Sequence, residues 1–339
     1  MAAFFIRRFL WMTLVLFVVS VITFTLLRLV PGGPFNNSER GVPDAVRRNI
    51  EIKYGLDRPF WEQYVRYVGD IVVPRFTDGT FRRTVTEDYL INIPLPFLGE
   101  DAAFRWMNFG PSLRTRSRTV SNIFQENLPV SFQLGLAAMA VAMAIGIPSG
   151  IIAALRRNTA ADYASMGVAI IGVSIPVIIM GPLLQYAFAV NWKIFLPTGW
   201  GTLQTMVLPA FALGFAQSAL LARLTRASLL QVMTEDYIRT ARAKGLSERM
   251  VVLLHALKNS MIPVVTVLGP LFAALLTGTF VTETIFGVPG MGRYFVTSVL
   301  NRDYPVVMGT ILLYAFFLVL ANTFVDIVYA WLDPRIRFR

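Results

Sequence analysis

Long apolar stretches alternate with short polar ones over most of this chain. Six of the apolar stretches are long enough for a helix to cross a bilayer, since about 30 Å of hydrocarbon takes roughly 20 helical residues. We therefore predict an all-α membrane protein. Its six transmembrane helices are expected near Phe9 to Val30, Leu128 to Leu155, Tyr163 to Val190, Met206 to Leu229, Ile262 to Phe286 and Tyr304 to Trp331. An even number of spans places both termini on the same side of the membrane.

The distribution of charge predicts which side is cytoplasmic. The N-terminus, the loops after the second and fourth spans and the C-terminus, counted with Arg223 and Arg226 near the end of the fourth span, hold 14 Lys or Arg against five acidic residues, whereas residues 31–127 hold 13 against 12. Because cytoplasmic loops carry an excess of Lys and Arg, we expect both termini in the cytoplasm. The resulting segments are 1–30 with the first span, a large extracytoplasmic loop 31–127 between the first two helices, a five-helix core 128–331 and a cytoplasmic tail 332–339.

The outer segment contains one amphipathic stretch. Aromatic and aliphatic residues recur at helical spacing from Pro59 to Val73, which predicts a helix lying at the membrane interface. From Pro74 to Phe109 there are turn signals such as Asp78-Gly79, and we expect irregular chain there. This part is either an exposed loop or a cap that docks an external partner, and the sequence leaves both open.

Composition agrees with a membrane protein and excludes several other classes. The chain is 55% hydrophobic and 15% charged, with a mean hydropathy of +0.58 and a pI near 10.2. The basic residues bracket apolar spans and form no stripe on a soluble fold, so we expect membrane lipid as a partner and no nucleic acid. With no cysteine and His255 as the single histidine, thiolate metal sites and paired-histidine motifs cannot form.

The stretch from Thr234 to Pro263 is polar and basic, unlike the apolar runs on either side. Its pattern predicts two short helices around a hinge, in which Thr234 caps the first helix, Gly245 ends it in a left-handed conformation and Ser247 caps the second. Pro263 fits the start of the next span. The apolar residues expected on one face of the second helix are Met250, Val251, Leu254 and Leu257. Charge alone would fit a loop that only fixes topology.

The order of residues in this stretch indicates a more specific role. Residues Asp236 to Leu246 read DYIRTARAKGL, a run that resembles the loop motif of ABC importer permeases in the dipeptide, oligopeptide and nickel branch. The resemblance implies a coupling helix that sits in a cleft of a separate ATPase subunit. The coupling stretch then covers residues 234–262, and the coupling residues are Asp236, Tyr237, Arg239, Thr240, Ala241, Arg242, Ala243, Lys244, Gly245 and Leu246.

The C-terminal part carries further runs that are similar to the same branch. They are Thr282 to Phe286, Pro289 to Arg293, Asp303 to Val307 and Asp333 to Arg337. The resemblance implies a type I ABC importer permease fold in a bacterial or archaeal plasma membrane. It also implies a second homologous permease subunit, two ATPase subunits and an extracytoplasmic peptide-binding protein. Since the sequence has no G-x-x-x-x-G-K-[ST] loop for nucleotide phosphates, ATP and Mg are expected in the ATPase subunits, with no cofactor on this chain.

The resemblance also implies a function and leads to candidate pathway residues, and alternatives stay open for both. We expect a non-catalytic permease for dipeptides or oligopeptides. The alternatives are nickel or another small solute on the same machinery, or an ATP-independent channel or secondary transporter. Ionisable residues within spans are functional candidates, so Glu283 and Asp326 are candidate pathway or gate residues. Hydration near a span end, or a packing hydrogen bond, would explain either residue equally.

Overall fold

The computed structural model describes residues 2–29, 48, 52, 55–77, 88–97, 102–115, 117–277 and 279–332. The chain divides into two compact units, which are described separately below. The first comprises Met1–Met12, Val130–Gly292 and Phe316–Arg339, and the second Thr13–Pro129 and Arg293–Ala315. In chain order the elements are α1 (Ala2–Leu29), α2 (Phe60–Val72), β1 (Arg75–Thr77), β2 (Tyr89–Pro94), β3 (Ala103–Asn108), α3 (Val120–Leu155), α4 (Ala160–Ser174), α5 (Val177–Asn191), α6 (Leu203–Val232), α7 (Asp236–Ala243), α8 (Glu248–Ser260), α9 (Ile262–Thr277), α10 (Phe280–Phe286), α11 (Gly292–Asn301) and α12 (Tyr304–Leu332).

Helices of membrane-spanning length and composition dominate the described part of the chain. Within those residues, four single helices qualify, namely α1, α3, α6 and α12, and the number rises to six if each of two bent helix pairs counts as one span. The bent pairs are α4 with α5 and α8 with α9. The predicted cytoplasmic tail lies outside the described residues except for Leu332.

The third predicted span, Tyr163 to Val190, is not one straight helix. α4 and α5 meet at an angle of 102°, at Ile175 and Pro176. Ile175 has extended backbone angles of φ −93° and ψ 112°, which is the conformation that a following proline imposes on the residue before it. The predicted third span therefore consists of two helices joined by a sharp bend at this proline.

The fifth predicted span, Ile262 to Phe286, is also interrupted. α9 ends at Thr277 and α10 begins at Phe280, so the two helices are separate elements. Gly278, which lies outside the described residues, stands between them in the sequence, and glycine has the lowest helix propensity after proline. The predicted start at Ile262, with Pro263 in the first turn, is confirmed.

In the first unit, α3 and α6 approach each other closely. A Cβ added at Gly146 would lie 2.6 Å from the carbonyl oxygen of Ser218, and one at Gly150 would lie 2.5 Å from Cβ of Thr225. Glycines spaced four apart allow this kind of close helix approach. Around the contact a buried apolar core forms, which includes Leu134, Leu208, Leu213, Leu221, Leu275 and Phe286.

In the second unit, α2 packs against α1 through aromatic side chains. The ring of Phe24 on α1 lies 5.3 Å from that of Phe60 and 5.4 Å from that of Tyr64. The hydroxyls of Tyr64 and Ser20 are hydrogen-bonded at 2.7 Å. The amphipathic helix predicted from Pro59 to Val73 is thus confirmed as a helix, and its aromatic residues supply the contact.

A three-stranded antiparallel sheet of order β1-β3-β2 occupies the part of the second unit expected to be irregular. Phe76 of β1 pairs with Phe104 of β3, and Ile91 of β2 pairs with Trp106 of β3. Cross-strand aromatic and aliphatic pairs of this kind stabilise sheets. The strands have three to six residues, too few for an alternating pattern to stand out. The prediction of irregular chain is wrong for these three strands, and the all-α assignment must include this small sheet. The predicted turn at Asp78-Gly79 lies outside the described residues.

Candidate functional site

The predicted coupling stretch forms α7, a tight turn and α8. Gly245 ends α7 with φ +79°, the left-handed conformation that favours glycine. Its amide donates to the carbonyl of Arg242 at 2.9 Å, so the turn closes on the end of the helix. The hinge predicted at Gly245 is confirmed.

The first cap differs from the prediction. Glu235, not Thr234, occupies the N-cap position of α7, and its side chain makes no capping hydrogen bond. The hydroxyl of Thr234 instead donates to the carbonyl of Gln231 at 2.7 Å. The last carbonyls of a helix lack intrahelical partners, so Thr234 serves the end of α6. Ser247 does occupy the N-cap of α8, although without a side-chain hydrogen bond.

One face of α7 is anchored in the first unit. Ile238 is fully buried and Ala241 is 6% exposed, and Leu246 packs beside them. They belong to one apolar cluster with Ala154 at the end of α3 and Leu229 at the end of α6. Movement of α7 would therefore be transmitted directly to the ends of two long helices.

The opposite face of α7 is exposed and basic. Of the ten predicted coupling residues, Ala241 is buried and Leu246 half-buried, so these two anchor the helix. The other eight are exposed, namely Asp236, Tyr237, Arg239, Thr240, Arg242, Ala243, Lys244 and Gly245. We call these eight residues the α7 face. It presents two arginines and one lysine beside a single acid, Asp236, a charge balance that suits an acidic partner.

Two side-chain links hold α7 to α8. Arg242 donates to both carboxylate oxygens of Glu248, Nε at 3.1 Å and Nη2 at 2.7 Å, across the turn at Gly245. These hydrogen bonds favour the carboxylate and hold the pKa of Glu248 below its usual range. At the far end, Nδ2 of Asn259 donates to the hydroxyl of Tyr237 at 2.8 Å. The two helices and their turn therefore form one braced element.

The apolar face of α8 differs from the predicted one. Val251, Val252 and Ala256 are buried, whereas Met250 and Leu254 are 45% and 61% exposed. The cause is a π-helical stretch, Val251–Ala256, in which the backbone hydrogen bonds span five residues instead of four. This wider turn places residues five apart on one face. It leaves Met250 and Leu254 as exposed apolar surface near the α7 face.

Glu283 lies on α10 and is 1% exposed. The hydroxyl of Thr279 donates to its Oε1 at 2.5 Å, and that of Ser131 on α3 donates to the same oxygen at 3.1 Å. Ser131 also accepts from the amide of Met291 at 2.7 Å. Of the two alternatives to a pathway role, hydration and a packing hydrogen bond, the second describes Glu283 in this structure. A pathway or gate role for Glu283 stays a prediction.

The glycine-rich run after α10 closes over Glu283. A Cβ added at Gly290 would lie 2.2 Å from Oε1 of Glu283, and one at Gly292 would lie 3.1 Å from Oε2. Two runs that resemble the peptide branch, Thr282 to Phe286 and Pro289 to Arg293, thus meet around one carboxyl group. Nothing in the sequence around Ser131 indicates its contact with Glu283. The glycines at positions 290 and 292, which follow Glu283 in an apolar region, are a sequence feature that could have indicated the cluster.

Asp326, the other candidate pathway residue, lies on α12 in the first unit. Its carboxylate is 3.0 Å from Nη2 of Arg8 on α1, and both side chains are about one-third exposed. Nε of Arg8 donates to the hydroxyl of Thr323 at 2.8 Å. Asp326 thus has a structural partner, and its pathway role stays a prediction. Among the described residues no cluster of three or more His, Asp or Glu is arranged to hold a metal ion.

Apolar helices of membrane-spanning length and one exposed, internally anchored basic segment define a multi-pass α-helical membrane protein. Comparison with known families gives two matches. "Binding-protein-dependent transport system inner membrane component" matches residues 146–338, and its N-terminal counterpart matches residues 1–83. The chain therefore belongs to the family of binding-protein-dependent transport system inner membrane components. It is a non-catalytic component of a plasma-membrane transport system.

Similar curated proteins extend over essentially the whole chain. The dipeptide transport system permease protein DppB of Bacillus subtilis is 43% identical over 99% of this chain and 98% of its own length. The oligopeptide transport system permease protein OppB of Salmonella typhimurium is 38% identical over 100% of both chains. A chain from a solved structure of the MetNI methionine ABC transporter, in inward facing conformations, superposes with a TM-score of 0.51. It is 19% identical and covers 62% of this chain and 96% of that one, so this likeness concerns the fold alone.

Proposed function

We propose that this chain and a second homologous permease subunit form the translocation pathway of an ABC importer for dipeptides or oligopeptides. An extracytoplasmic binding protein delivers the peptide, and two separate ATPase subunits, which bind ATP and Mg, drive the cycle. The substrate class is supported by the names of the DppB and OppB relatives. The observation that carries the proposal is the α7 face, an exposed basic surface on a helix whose other face is buried.

The proposed topology has six spans with both termini in the cytoplasm. The bent pair α4–α5 is then the third span, the fifth span begins at Ile262 with α9 and leaves α8 in the cytoplasm beside α7, and residues 31–127 form the large extracytoplasmic loop. Its support is the excess of Lys and Arg in the segments assigned to the cytoplasm. This arrangement puts the α7 face on the side where ATP is hydrolysed.

In the proposed mechanism, an ATPase subunit binds the α7 face and moves it when the ATPase pair closes. The Arg242–Glu248 and Tyr237–Asn259 links keep α7 and α8 together during this movement. Ile238 transmits the displacement to the ends of α3 and α6 through the apolar cluster. The spans then change between outward-open and inward-open arrangements, as a shift between two packed states of the helices.

Replacement of Gly245 by valine tests this function. Among the described residues, no atom lies within 4 Å of a Cβ at Gly245, so the substitution acts through the φ of +79°, which costs a β-branched residue about 1–3 kcal/mol. We expect Gly245→Val to insert into the membrane normally but to lose ATP-driven peptide uptake by at least tenfold in proteoliposomes containing all subunits. ATP hydrolysis should continue without transport.

Gly201→Val is the matched control. Gly201 also has a positive φ, +106°, and open space where a Cβ would lie, but it precedes α6 at the opposite end from α7. This variant should keep its uptake. Full uptake by Gly245→Val, or equal losses in both variants, would contradict the coupling role of the α7 turn.

A further inference from the structure

The second unit contains a cavity of about 260 Å³ beside the C-terminal turn of α1. Its described lining includes Phe24, Arg28, Gln63, Tyr67 and Tyr304, together with a second cation, Arg66, and the carboxylates of Asp70 and Asp88. Asp70 is paired with Arg75. The volume is below the ~300–1,000 Å³ of typical ligand pockets, but well above the ~30 Å³ that one water occupies. The cavity therefore suits one end of a small molecule.

Arg28 is one of two cations that line this cavity, the other being Arg66. The guanidinium carbon of Arg28 lies 4.9 Å from the ring centre of Phe24 and 5.2 Å from that of Tyr304. Within the described residues these aromatic rings are its partners, and no carboxylate pairs with it. A guanidinium has five N–H donors in a planar fork that matches a carboxylate. The rings hold the guanidinium in place and leave those donors for a ligand.

Two polar groups on α2 complete the site. Nε2 of Gln63 donates to the carbonyls of Leu56 at 3.0 Å and Arg58 at 2.7 Å, which fixes the amide so that Oε1 is the remaining acceptor. That Oε1 and the hydroxyl of Tyr67, one helical turn further on, are buried and have no hydrogen-bond partner among the described residues. Native proteins almost always pair such groups.

The two unpaired groups differ in chemistry. Burial raises the pKa of Tyr67, so its hydroxyl stays protonated and can donate a hydrogen bond to an anion. Oε1 of Gln63 can only accept, and therefore requires an N–H or O–H on the occupant. A phosphate diester would satisfy Arg28 and Tyr67 but would leave Gln63 unpaired.

We propose that this cavity binds the C-terminal end of a peptide. Arg28 binds the terminal carboxylate, Tyr67 donates to one of its oxygens, and Oε1 of Gln63 accepts from the last amide N–H. The rings of Phe24 and Tyr304 contact the terminal side chain. This site rests on the peptide substrate proposed above and adds the part of the substrate that the permease itself recognises.

Binding of a dipeptide and its amide to the full chain in lipid nanodiscs, without binding protein, tests the site. The probes are alanyl-alanine as the free acid, alanyl-alanine amide and dimethyl phosphate, a phosphate diester without an O–H, measured by calorimetry and by the shift in Tm. We expect the free acid to bind and raise the Tm, and the amide to bind at least tenfold more weakly. Dimethyl phosphate should not compete with the free acid. Equal binding of acid and amide, or competition by dimethyl phosphate, would overturn the assignment.

Two tyrosines one turn apart provide matched variants. Tyr67→Phe removes the unpaired hydroxyl, so the Tm without ligand should stay unchanged or rise. Affinity for the free acid should fall about tenfold, as for one lost hydrogen bond to a charged group. Tyr64→Phe removes a hydroxyl that is already paired with Ser20, so it should lower the Tm and keep the affinity. An unchanged affinity in Tyr67→Phe would refute the site.

ATP-driven uptake of alanyl-alanine by the complete wild-type transporter separates the two proposals. Uptake together with binding supports both. Uptake without binding to the nanodisc-embedded chain overturns the cavity assignment and keeps the proposed function. Absence of ATP-driven uptake counts against the peptide function itself, and then binding of the free acid cannot be part of import.

Discussion

The α7 face and the carboxyl cluster at Glu283 resemble the same family in sequence but use their residues in opposite ways. On α7, eight of the ten predicted residues are exposed, and the contacts of Arg242 and Tyr237 with α8 leave them exposed. Around Glu283, the side chains of Thr279 and Ser131 and the glycines that follow close on one buried carboxyl. A run of residues that resembles the family can therefore either bind a partner subunit or stabilise the fold, and the run itself does not show which. Burial distinguishes the two.

The difference gives each region its own experimental behaviour. Substitutions on the α7 face should leave stability unchanged and affect coupling to a partner. Substitutions around Glu283 should lower stability first and affect transport as a consequence. Ile238, beneath the α7 face, and Gly290, beside Glu283, are packed residues whose replacement should lower stability most.

Ile238→Ala is expected to cause the largest loss of stability. Ile238 is fully buried beneath the α7 face, and removal of such a side chain costs about 2–5 kcal/mol. We expect α7 to detach, seen as faster amide exchange in residues 236–246 and as a lower Tm. Ile194→Ala, at a residue that is 53% exposed, is the control and should stay within about 0.5 kcal/mol of wild type. Equal effects in both would mean that α7 is not anchored.

Gly290→Ala should have the next largest effect. A methyl group there would lie 2.2 Å from Oε1 of Glu283 and 2.7 Å from Oγ of Ser131, and relief of such a clash typically costs about 1–3 kcal/mol. Thermal unfolding in detergent measures the loss. Gly167→Ala, where no atom lies within 4 Å of the new methyl group, should be neutral or slightly stabilising. A neutral Gly290→Ala would show that the Glu283 cluster can readily rearrange.

Removal of the Arg242–Glu248 link is expected to cause the smallest loss of stability. Both side chains are substantially exposed, 41% and 60%, so Glu248→Gln should cost no more than about 1 kcal/mol after solvent screening. Because Arg242 lowers the pKa of Glu248 in the folded state, the stabilisation is present above the usual glutamate pKa and is lost as the pH falls through the folded-state value. Tm measured against pH should therefore converge for wild type and Glu248→Gln in acid.

Several elements follow from local rules and could be predicted from the sequence. Periodicity identifies α2, and the left-handed turn at Gly245 follows from a glycine placed after a polar helix. The long helices α1, α3, α6 and α12 follow from continuous apolar runs. Each of these signals depends on neighbouring residues only, so the tertiary structure does not change it.

The features that could not be predicted depend on tertiary packing. The bend at Pro176 is one of several outcomes that a proline within a span allows, and neighbouring helices decide between them. The π-helical turn at Val251–Ala256 changes which apolar residues are buried, which a period of 3.6 residues cannot anticipate. Glu283 meets Ser131 across 152 positions of sequence, and no local pattern reports such a contact.

The most direct test of the central claim is site-specific cross-linking from the α7 face. Since the chain contains no cysteine, Arg239→Cys introduces a single thiol, at a side chain that is 72% exposed. Leu203→Cys, at a residue that is 75% exposed at the start of α6, is the control. With a membrane-permeant thiol-linked photo-cross-linker, Arg239→Cys should cross-link to an ATPase subunit in membranes that contain the whole transporter, and Leu203→Cys should not. Equal yields from both positions, or none from Arg239→Cys in a transporter that still imports peptide, would contradict ATPase docking at the α7 face.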